Sequence, residues 1–193
     1  MMSPIKHLFP AIALVLITVF SAHALEPAAT IDEVRFALSY QVGEERLKLR
    51  GVASLRYLKF IKAYAGGLYM PENVRSDDVL SDVPKRLVLE YFQTIEAEDF
   101  ADATRKMVEK NTDTETLSRI APALDRLCLA YKTVVPKDRY ALTYVPEKGL
   151  DLSLNGALLG TFEGADFARA MFSIWIGPNP IDKRFRNRLL GPQ

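Results

Sequence analysis

The chain has 193 residues, 49% of them hydrophobic, with 25 Lys and Arg residues against 24 Asp and Glu residues. This balance provides no electrostatic footprint for nucleic acid, and the length suits one domain with a substantial core. The two histidines, His7 and His23, both lie close to the N-terminus.

The first 24 residues have the features of a signal peptide. Lys6 lies in a short basic start, an uncharged apolar segment occupies 8–20, and Ala22-His23-Ala24 places small residues at both positions that a signal peptidase reads. We therefore predict cleavage before Leu25 and export, to the periplasm if the source is Gram-negative. The apolar segment is shorter than the roughly 20 residues of a spanning helix, so we expect no membrane span after cleavage. A retained anchor is the alternative.

The predicted mature domain, residues 25–193, contains no histidine and one cysteine. Without an imidazole, Ser-His-Asp and Cys-His activation and histidine metal sites are excluded. Cys128 cannot form an internal disulfide, and its apolar neighbours at helical spacing predict a buried position. We expect no metal and no cofactor.

The first half of this domain has the patterns of β-strands. Apolar and polar residues alternate at 36–40 and 46–51, on either side of the turn residues Gly43-Glu44-Glu45. This pattern predicts a hairpin with one solvent-exposed face. A long aromatic strand follows at 55–70 and stops at Pro71. Within it, Gly66-Gly67 predicts a bulge or a sharp bend.

The second half mixes helices and strands. Thr112 and Glu115 are spaced as a capping box, Asn155-Gly156 is a hairpin turn, and Gly177-Pro178 is typical of a helix end. The predicted elements are a central strand at 85–92, amphipathic helices through 100–108 and 117–131, strands at 140–145, 150–154 and 158–162, and a helix at 165–176. This order predicts an α+β fold, an antiparallel sheet with helices packed on one face.

The aromatic strand carries the most informative charge. On a regular pleat, Arg56, Phe60 and Tyr64 share one face, which places a guanidinium and a phenol among apolar groups. A buried guanidinium needs a partner, and a ligand carboxylate can hold it bidentately if the protein supplies none. In the alternative interpretation, Arg56 lies near the sheet edge and extends into water.

Several stretches, taken in order, resemble the chalcone isomerase-like family, specifically its exported bacterial members. They are Leu55-Arg56 with KAYAGGLYM at 62–70, PKRLVLEY at 84–91, YALTYVP at 140–146, LSLNG at 152–156 with LG at 159–160, and FSIWIG at 172–177 with Pro180-Ile181. The resemblance implies an open-faced β-sandwich, in which a large antiparallel sheet carries a layer of helices on one face and a ligand cleft lies between them.

The family includes plant enzymes that cyclise chalcones, relatives that bind fatty acids, and bacterial members of unsettled role. By resemblance, Arg56 matches the strand arginine that holds the phenolate in the enzymes. Tyr64 falls where they have a threonine, Phe100 where they have a tyrosine, and Met107 where they have an asparagine. A polar substrate contact near the C-terminus falls on or near Phe185. Only the arginine is retained.

This pattern supports a leading hypothesis of non-catalytic binding. Cyclisation needs polar groups around a developing enolate, and each lost donor costs about 2 to 4 kcal/mol of barrier stabilisation. A cleft that is less polar than that of the enzymes and keeps one cation suits a small apolar or amphiphilic carboxylate such as a fatty acid. The predicted ligand-binding residues are Arg56, Tyr64, Phe100 and Met107. The alternatives are an intramolecular lyase of the chalcone isomerase type and an envelope protein-interaction module.

Overall fold

The computed structural model of the protein describes residues 28–57 and 60–191. The predicted signal peptide and its cleavage site lie outside these residues. Within the described part of the chain, no helix is both long enough and apolar enough to span a bilayer.

The described residues form nine β-strands and four α-helices. The strands are β1 (Ala28–Ile31), β2 (Val34–Ala37), β3 (Ser39–Val42), β4 (Glu45–Tyr57), β5 (Ile61–Met70), β6 (Lys85–Tyr91), β7 (Arg139–Val145), β8 (Gly149–Leu154) and β9 (Ala157–Phe162). The helices are α1 (Ala97–Asn111), α2 (Thr114–Ala130), α3 (Ala165–Ile176) and α4 (Lys183–Leu190).

Seven strands form one antiparallel sheet in chain order, from β3 to β9, while β1 and β2 pair separately. Every neighbouring pair in the large sheet is antiparallel, so short turns or helical excursions connect adjacent strands. The predicted α+β architecture with a large antiparallel sheet is confirmed.

The two faces of the sheet have different cores because successive side chains on a strand point in opposite directions. Leu87 and Leu89 of β6 join the main core beneath the helices. Val88, between them, belongs to a smaller cluster with Phe36 of β2, so the β1–β2 hairpin covers part of the opposite face. Cys128 is 8% exposed in the main core, which confirms its predicted burial.

Local sequence signals located many elements correctly, but the prediction of one long strand at 55–70 is wrong, because β4 ends at Tyr57 and the antiparallel β5 begins at Ile61. Helix α3 has the predicted bounds, and Asn155-Gly156 connects β8 to β9 as expected. The N-cap of α2 is Asp113 rather than Thr112, since the Asp113 carboxylate accepts a hydrogen bond of 2.9 Å from the Thr116 N–H. Helix α4 was not predicted, because four of its eight residues are Lys or Arg and only three are buried.

The prediction of a bulge at Gly66-Gly67 is wrong, because β5 runs through both glycines in regular register. The glycines instead admit aromatic rings onto the two sheet faces. A Cβ on Gly66 would lie 2.7 Å from the Phe185 ring, and one on Gly67 would lie 2.6 Å from the Phe36 ring. The register of β4 and β5 shifts at two other places, with an extra residue at Arg50 of β4 and at Ala63 of β5.

Candidate functional site

A cavity of about 190 Å³ lies between the sheet and the helical layer. Strands β5 to β8 form its floor, and helices α1 and α3 with the C-terminal end of α2 form its walls. Its lining is mostly aliphatic and aromatic: Tyr64, Leu87, Leu89, Tyr91, Ile95, Asp99, Phe100, Ala103, Thr104, Met107, Tyr131, Tyr140, Leu142, Leu152, Ile174, Trp175 and Ile181. None of these described lining residues is a lysine or an arginine.

A network of aromatic rings shapes the cavity. The Phe100 ring of α1 lies edge-on to Tyr91 and Tyr140 of the sheet, with centroids 5.3 Å apart in both pairs. It also stacks on Tyr131 at 5.4 Å with an interplanar angle of 29°. Tyr64 meets Tyr91 edge-on at 5.5 Å. These contacts pack α1 against the sheet and form an aromatic wall of the cavity.

The cavity is also lined by phenol hydroxyls with different partners. Tyr140 is satisfied by the Lys132 main chain, since its O–H donates to the carbonyl at 2.9 Å and it accepts from the N–H at 2.7 Å. Tyr131 shares a hydrogen bond of 3.0 Å with Thr104. These two hydroxyls therefore stabilise the walls.

Two other hydroxyls retain a proton to donate. The Trp175 indole N–H donates to the Tyr64 oxygen at 3.0 Å, and among the described residues the Tyr64 proton has no acceptor. The Tyr91 hydroxyl makes no hydrogen bond within the described part of the chain, although Tyr91 is only 3% exposed. A pair of phenol donors thus faces the cavity without a protein acceptor.

Burial further favours the protonated form of these phenols. It raises the pKa of Tyr64, Tyr91 and Tyr131 above the ordinary phenol value, because a phenolate loses its hydration in the core. At neutral pH the three groups therefore act as neutral hydrogen-bond donors and acceptors. Apart from the phenols, the ionisable lining residue is Asp99, which is exposed in the first turn of α1.

The structure brings together three of the four predicted ligand-binding residues. Tyr64, Phe100 and Met107 all line the cavity, the first from strand β5 and the other two from positions about two turns apart on α1. Arg56 does not line it. Its guanidinium is 45% exposed and lies 3.4 Å from the Asp32 carboxylate, so it does not face the cleft as the strand pattern predicted.

The difference arises because residues 55–70 do not form one strand. Strand β4 ends at Tyr57 and β5 begins at Ile61, so Arg56 and Tyr64 lie on neighbouring antiparallel strands. Between Leu55 and Arg56 the pairing of β4 with β5 shifts, so that Leu55 pairs with Tyr64 whereas Arg56 pairs with Lys62. Leu55 packs beneath the helices with Tyr64. Arg56 and Lys62 instead both reach Asp32, which lies in the turn between β1 and β2. Alternation within β4 places Arg56 on the sheet face opposite Leu55, and an alternation counted from Arg56 to Tyr64 does not hold between two strands.

A phenylalanine separates Arg56 from the cavity. Arg56 lines a different depression, of about 370 Å³, together with Arg184, Arg188 and Phe185 of α4. The Phe185 ring is 1% exposed and meets Tyr64 edge-on at 5.5 Å with an interplanar angle of 89°. It therefore fills the space between the basic depression and the phenols, at the place where the family resemblance implied a polar contact.

Sequence reasoning missed four aromatic residues of the site: Tyr91, Tyr131, Tyr140 and Trp175. For Tyr91 a signal was available, since a pleated strand places it on the face shared by Leu87 and Leu89. The others come from three different elements, and no local pattern shows that they converge.

The comparisons with known proteins identify the family and the fold. A family model described as chalcone isomerase-like matches residues 28–191. Among solved structures, the chain is similar to a fatty-acid binding protein of Arabidopsis thaliana, with 19% identity and a TM-score of 0.64, over 85% of this chain and 96% of that one. No functionally curated protein matches it significantly in sequence. The predicted fold is confirmed, and the chain belongs to the chalcone isomerase-like family.

Proposed function

We propose that the protein binds a small apolar or amphiphilic carboxylic acid, such as a fatty acid, in the cavity between sheet and helices. The observation that carries this proposal is an apolar cavity into which Tyr64 and Tyr91 present phenol protons that have no acceptor in the described part of the chain. The fatty-acid binding activity named for the similar Arabidopsis structure supports the same ligand class.

The size of the cavity limits the ligand. Its volume of about 190 Å³ exceeds the roughly 150 Å³ of an engineered apolar cavity that takes up benzene. A medium-length alkyl chain or an aryl group therefore fits inside, and a longer chain extends through the mouth. The exposed residues Ala103 and Ile181 form part of that mouth.

The polar end of the ligand faces the phenols. A carboxylate buried without a cation is strongly disfavoured, whereas a neutral carboxyl group accepts from phenols through its carbonyl oxygen. The exposed Asp99 carboxylate at the cavity also disfavours an anionic head group there. The acid is therefore bound in its protonated form, and Arg56 has no direct role in holding it.

The lining supports binding rather than cyclisation. Phe100 and Met107 present a ring and a thioether where the resemblance implied a hydroxyl and an amide. A developing enolate would find neutral phenols of raised pKa and no cation among the described lining residues. The site provides burial and two donors, which suit a neutral polar end.

Calorimetric titration with saturated acids of increasing length, and with the alcohol of each length, tests the proposal. We expect acid and alcohol to bind with similar affinity at low pH. Affinity for the acid falls as pH rises above its solution pKa, because the bound form is neutral, while affinity for the alcohol stays constant. A pH-independent preference for the acid, abolished in Arg56→Ala, would support the guanidinium anchor and contradict the phenol site.

Two phenol variants provide a matched pair. Tyr91→Phe removes a hydroxyl with no protein partner, so we expect affinity to fall about fivefold, the effect of one hydrogen bond, with little change in stability. Tyr140→Phe removes a hydroxyl that the Lys132 main chain satisfies, so stability falls while ligand affinity of the folded protein stays constant. Equal affinity for wild type and Tyr91→Phe would remove the proposed contact.

Occlusion at the mouth tests the location. Ala103→Trp on α1 adds an indole at a lining position, so we expect at least about a tenfold loss of affinity if the ring enters the cavity, whose volume it would largely fill. Lys106→Trp adds the same ring to an exposed position of the same helix outside the lining and should leave affinity unchanged. If Met107→Trp and Ala103→Trp both bind like wild type, the cavity is not the site.

A further inference from the structure

The end of the β4–β5 hairpin exposes several large apolar side chains. Tyr57 is 65% exposed, Phe60 86% and Ile61 47%. Tyr57 and Ile61 pair across the two strands, so these groups lie at one end of the sheet. Nine large hydrophobic residues are exposed in the described part of the chain, and three of them lie within this tip. Such clustering is typical of an interaction surface, whereas scattered exposed residues are not.

Positive side chains surround this apolar tip. Arg56 and Lys62 flank it, and both rely on one carboxylate, Asp32, at 3.4 Å and 2.7 Å. One carboxylate neutralises only one of these two cations. The tip therefore carries uncompensated positive charge next to its aromatic groups.

Helix α4 extends the positive charge. Arg184 and Arg188 lie one turn apart and line the same depression as Arg56. Neither guanidinium has an ion pair or hydrogen bond to another side chain in the described part of the chain. The nearby carboxylate of Asp182 accepts from the Phe185 N–H at 2.7 Å as the N-cap of α4. Four cations thus face two carboxylates, each of which already has a partner in the protein.

We propose that these residues form a docking surface for an anionic lipid bilayer. The docking surface consists of the apolar tip (Tyr57, Phe60 and Ile61) and the cations Arg56, Lys62, Arg184 and Arg188. Aromatic side chains partition into the interfacial region of a bilayer, and nearby lysines and arginines are attracted to anionic head groups. Protruding aromatic side chains beside a cluster that has more cations than carboxylates favour a lipid surface over an acidic protein.

The docking surface is separate from the proposed ligand cavity, and it extends the function from binding a ligand to binding a membrane. Phe185 lies between the two, and no residue of the docking surface lines the cavity. Variants of the docking surface should therefore retain wild-type affinity for medium-length fatty alcohols. Failure of vesicle binding would not affect the cavity proposal, and failure of ligand binding would not affect this one.

Cosedimentation with vesicles tests the proposal on the mature chain. We expect binding to vesicles of phosphatidylcholine mixed with phosphatidylglycerol, weaker binding in high salt, and little binding to pure phosphatidylcholine. Each removed cation weakens binding about fivefold, so the double charge reversal Arg184→Glu with Arg188→Glu lowers it by at least about tenfold. Phe60→Ser lowers binding to the anionic vesicles without changing its salt dependence.

Matched controls distinguish docking from nonspecific effects. Leu158→Ser removes a side chain that is 60% exposed on strand β9, and Lys106→Glu reverses a charge on α1; both should bind vesicles like wild type. Circular dichroism establishes that each variant is folded. The proposal is overturned if wild type does not bind anionic vesicles, if lipid charge makes no difference, or if the controls lose as much binding as the docking-surface variants.

Discussion

The cavity and the basic depression lie on either side of one aromatic ring, and their chemistry is opposite. The cavity is lined by phenols such as Tyr64 and Tyr91, and its described lining residues include no lysine or arginine. Arg56, Arg184 and Arg188 line the depression. The β4–β5 strand pair contributes to both. The comparison shows that a cation and an apolar cavity near each other in sequence need not form one site, because Arg56 and Tyr64 belong to different strands and Phe185 lies between them.

The largest expected effect comes from removing the ring between the two regions. Phe185 is 1% exposed, so Phe185→Ala should lower the free energy of unfolding by about 3 to 5 kcal/mol. The space it leaves also connects the phenols with Arg56, so we expect the variant to prefer acids over alcohols of the same length. Denaturant titration and calorimetry measure the two effects.

Phe60→Ala is the matched control for this change. Its ring is 86% exposed, so the same truncation should change stability by less than about 0.5 kcal/mol. If Phe185→Ala retained wild-type stability, or if its preference between acid and alcohol were unchanged, Phe185 would not separate the cavity from the basic depression.

A smaller effect is expected from the glycine beneath that ring. Gly66→Ala would place a Cβ 2.7 Å from Phe185 and 3.0 Å from the Leu89 side chain, so we expect a loss of about 1 to 3 kcal/mol of unfolding free energy. In combination with Phe185→Ala this loss should shrink, because the ring that clashes is gone. A double-mutant cycle measures the coupling.

Gly67→Ala serves as the control on the opposite sheet face. Its Cβ would meet the Phe36 ring at 2.6 Å, so it should also destabilise the protein, but additively with Phe185→Ala. Additive behaviour of Gly66→Ala with Phe185→Ala would show that the ring does not rest on Gly66.

The smallest effect concerns the carboxylate shared by Arg56 and Lys62. The Lys62 hydrogen bond holds the pKa of Asp32 below its ordinary value, so Asp32 stabilises the fold at neutral pH, and this contribution disappears as pH falls through the lowered pKa. Asp32→Asn should cost about 1 kcal/mol at neutral pH and less in acid. It should also strengthen binding to anionic vesicles, since two cations lose their counter-charge. Weaker vesicle binding would contradict the docking surface.

Local sequence patterns predicted an element correctly where the residues that determine it lie within one short segment. The bounds of α3 follow from an apolar stripe and Gly177-Pro178, and the β8–β9 hairpin follows from Asn155-Gly156. Tyr64, Phe100 and Met107 came from family resemblance, and all three line the cavity. Arg56 was misplaced because period-two alternation was counted through 55–70 as one strand, whereas β4 and β5 are separate antiparallel strands.

The sequence by itself determined the α+β class, the antiparallel sheet, the burial of Cys128 and the family, because these depend on periodicity, turn residues and ordered motifs. Only the tertiary structure decided which polar groups face the cavity and which face water. Tyr91 lines the cavity because Phe100 of α1 packs above it. Arg56 does not line it, because it pairs with Asp32 and lies in the basic depression beyond Phe185. The physical reason is that a side chain's environment is set by partners distant in the chain, whose packing no local pattern records.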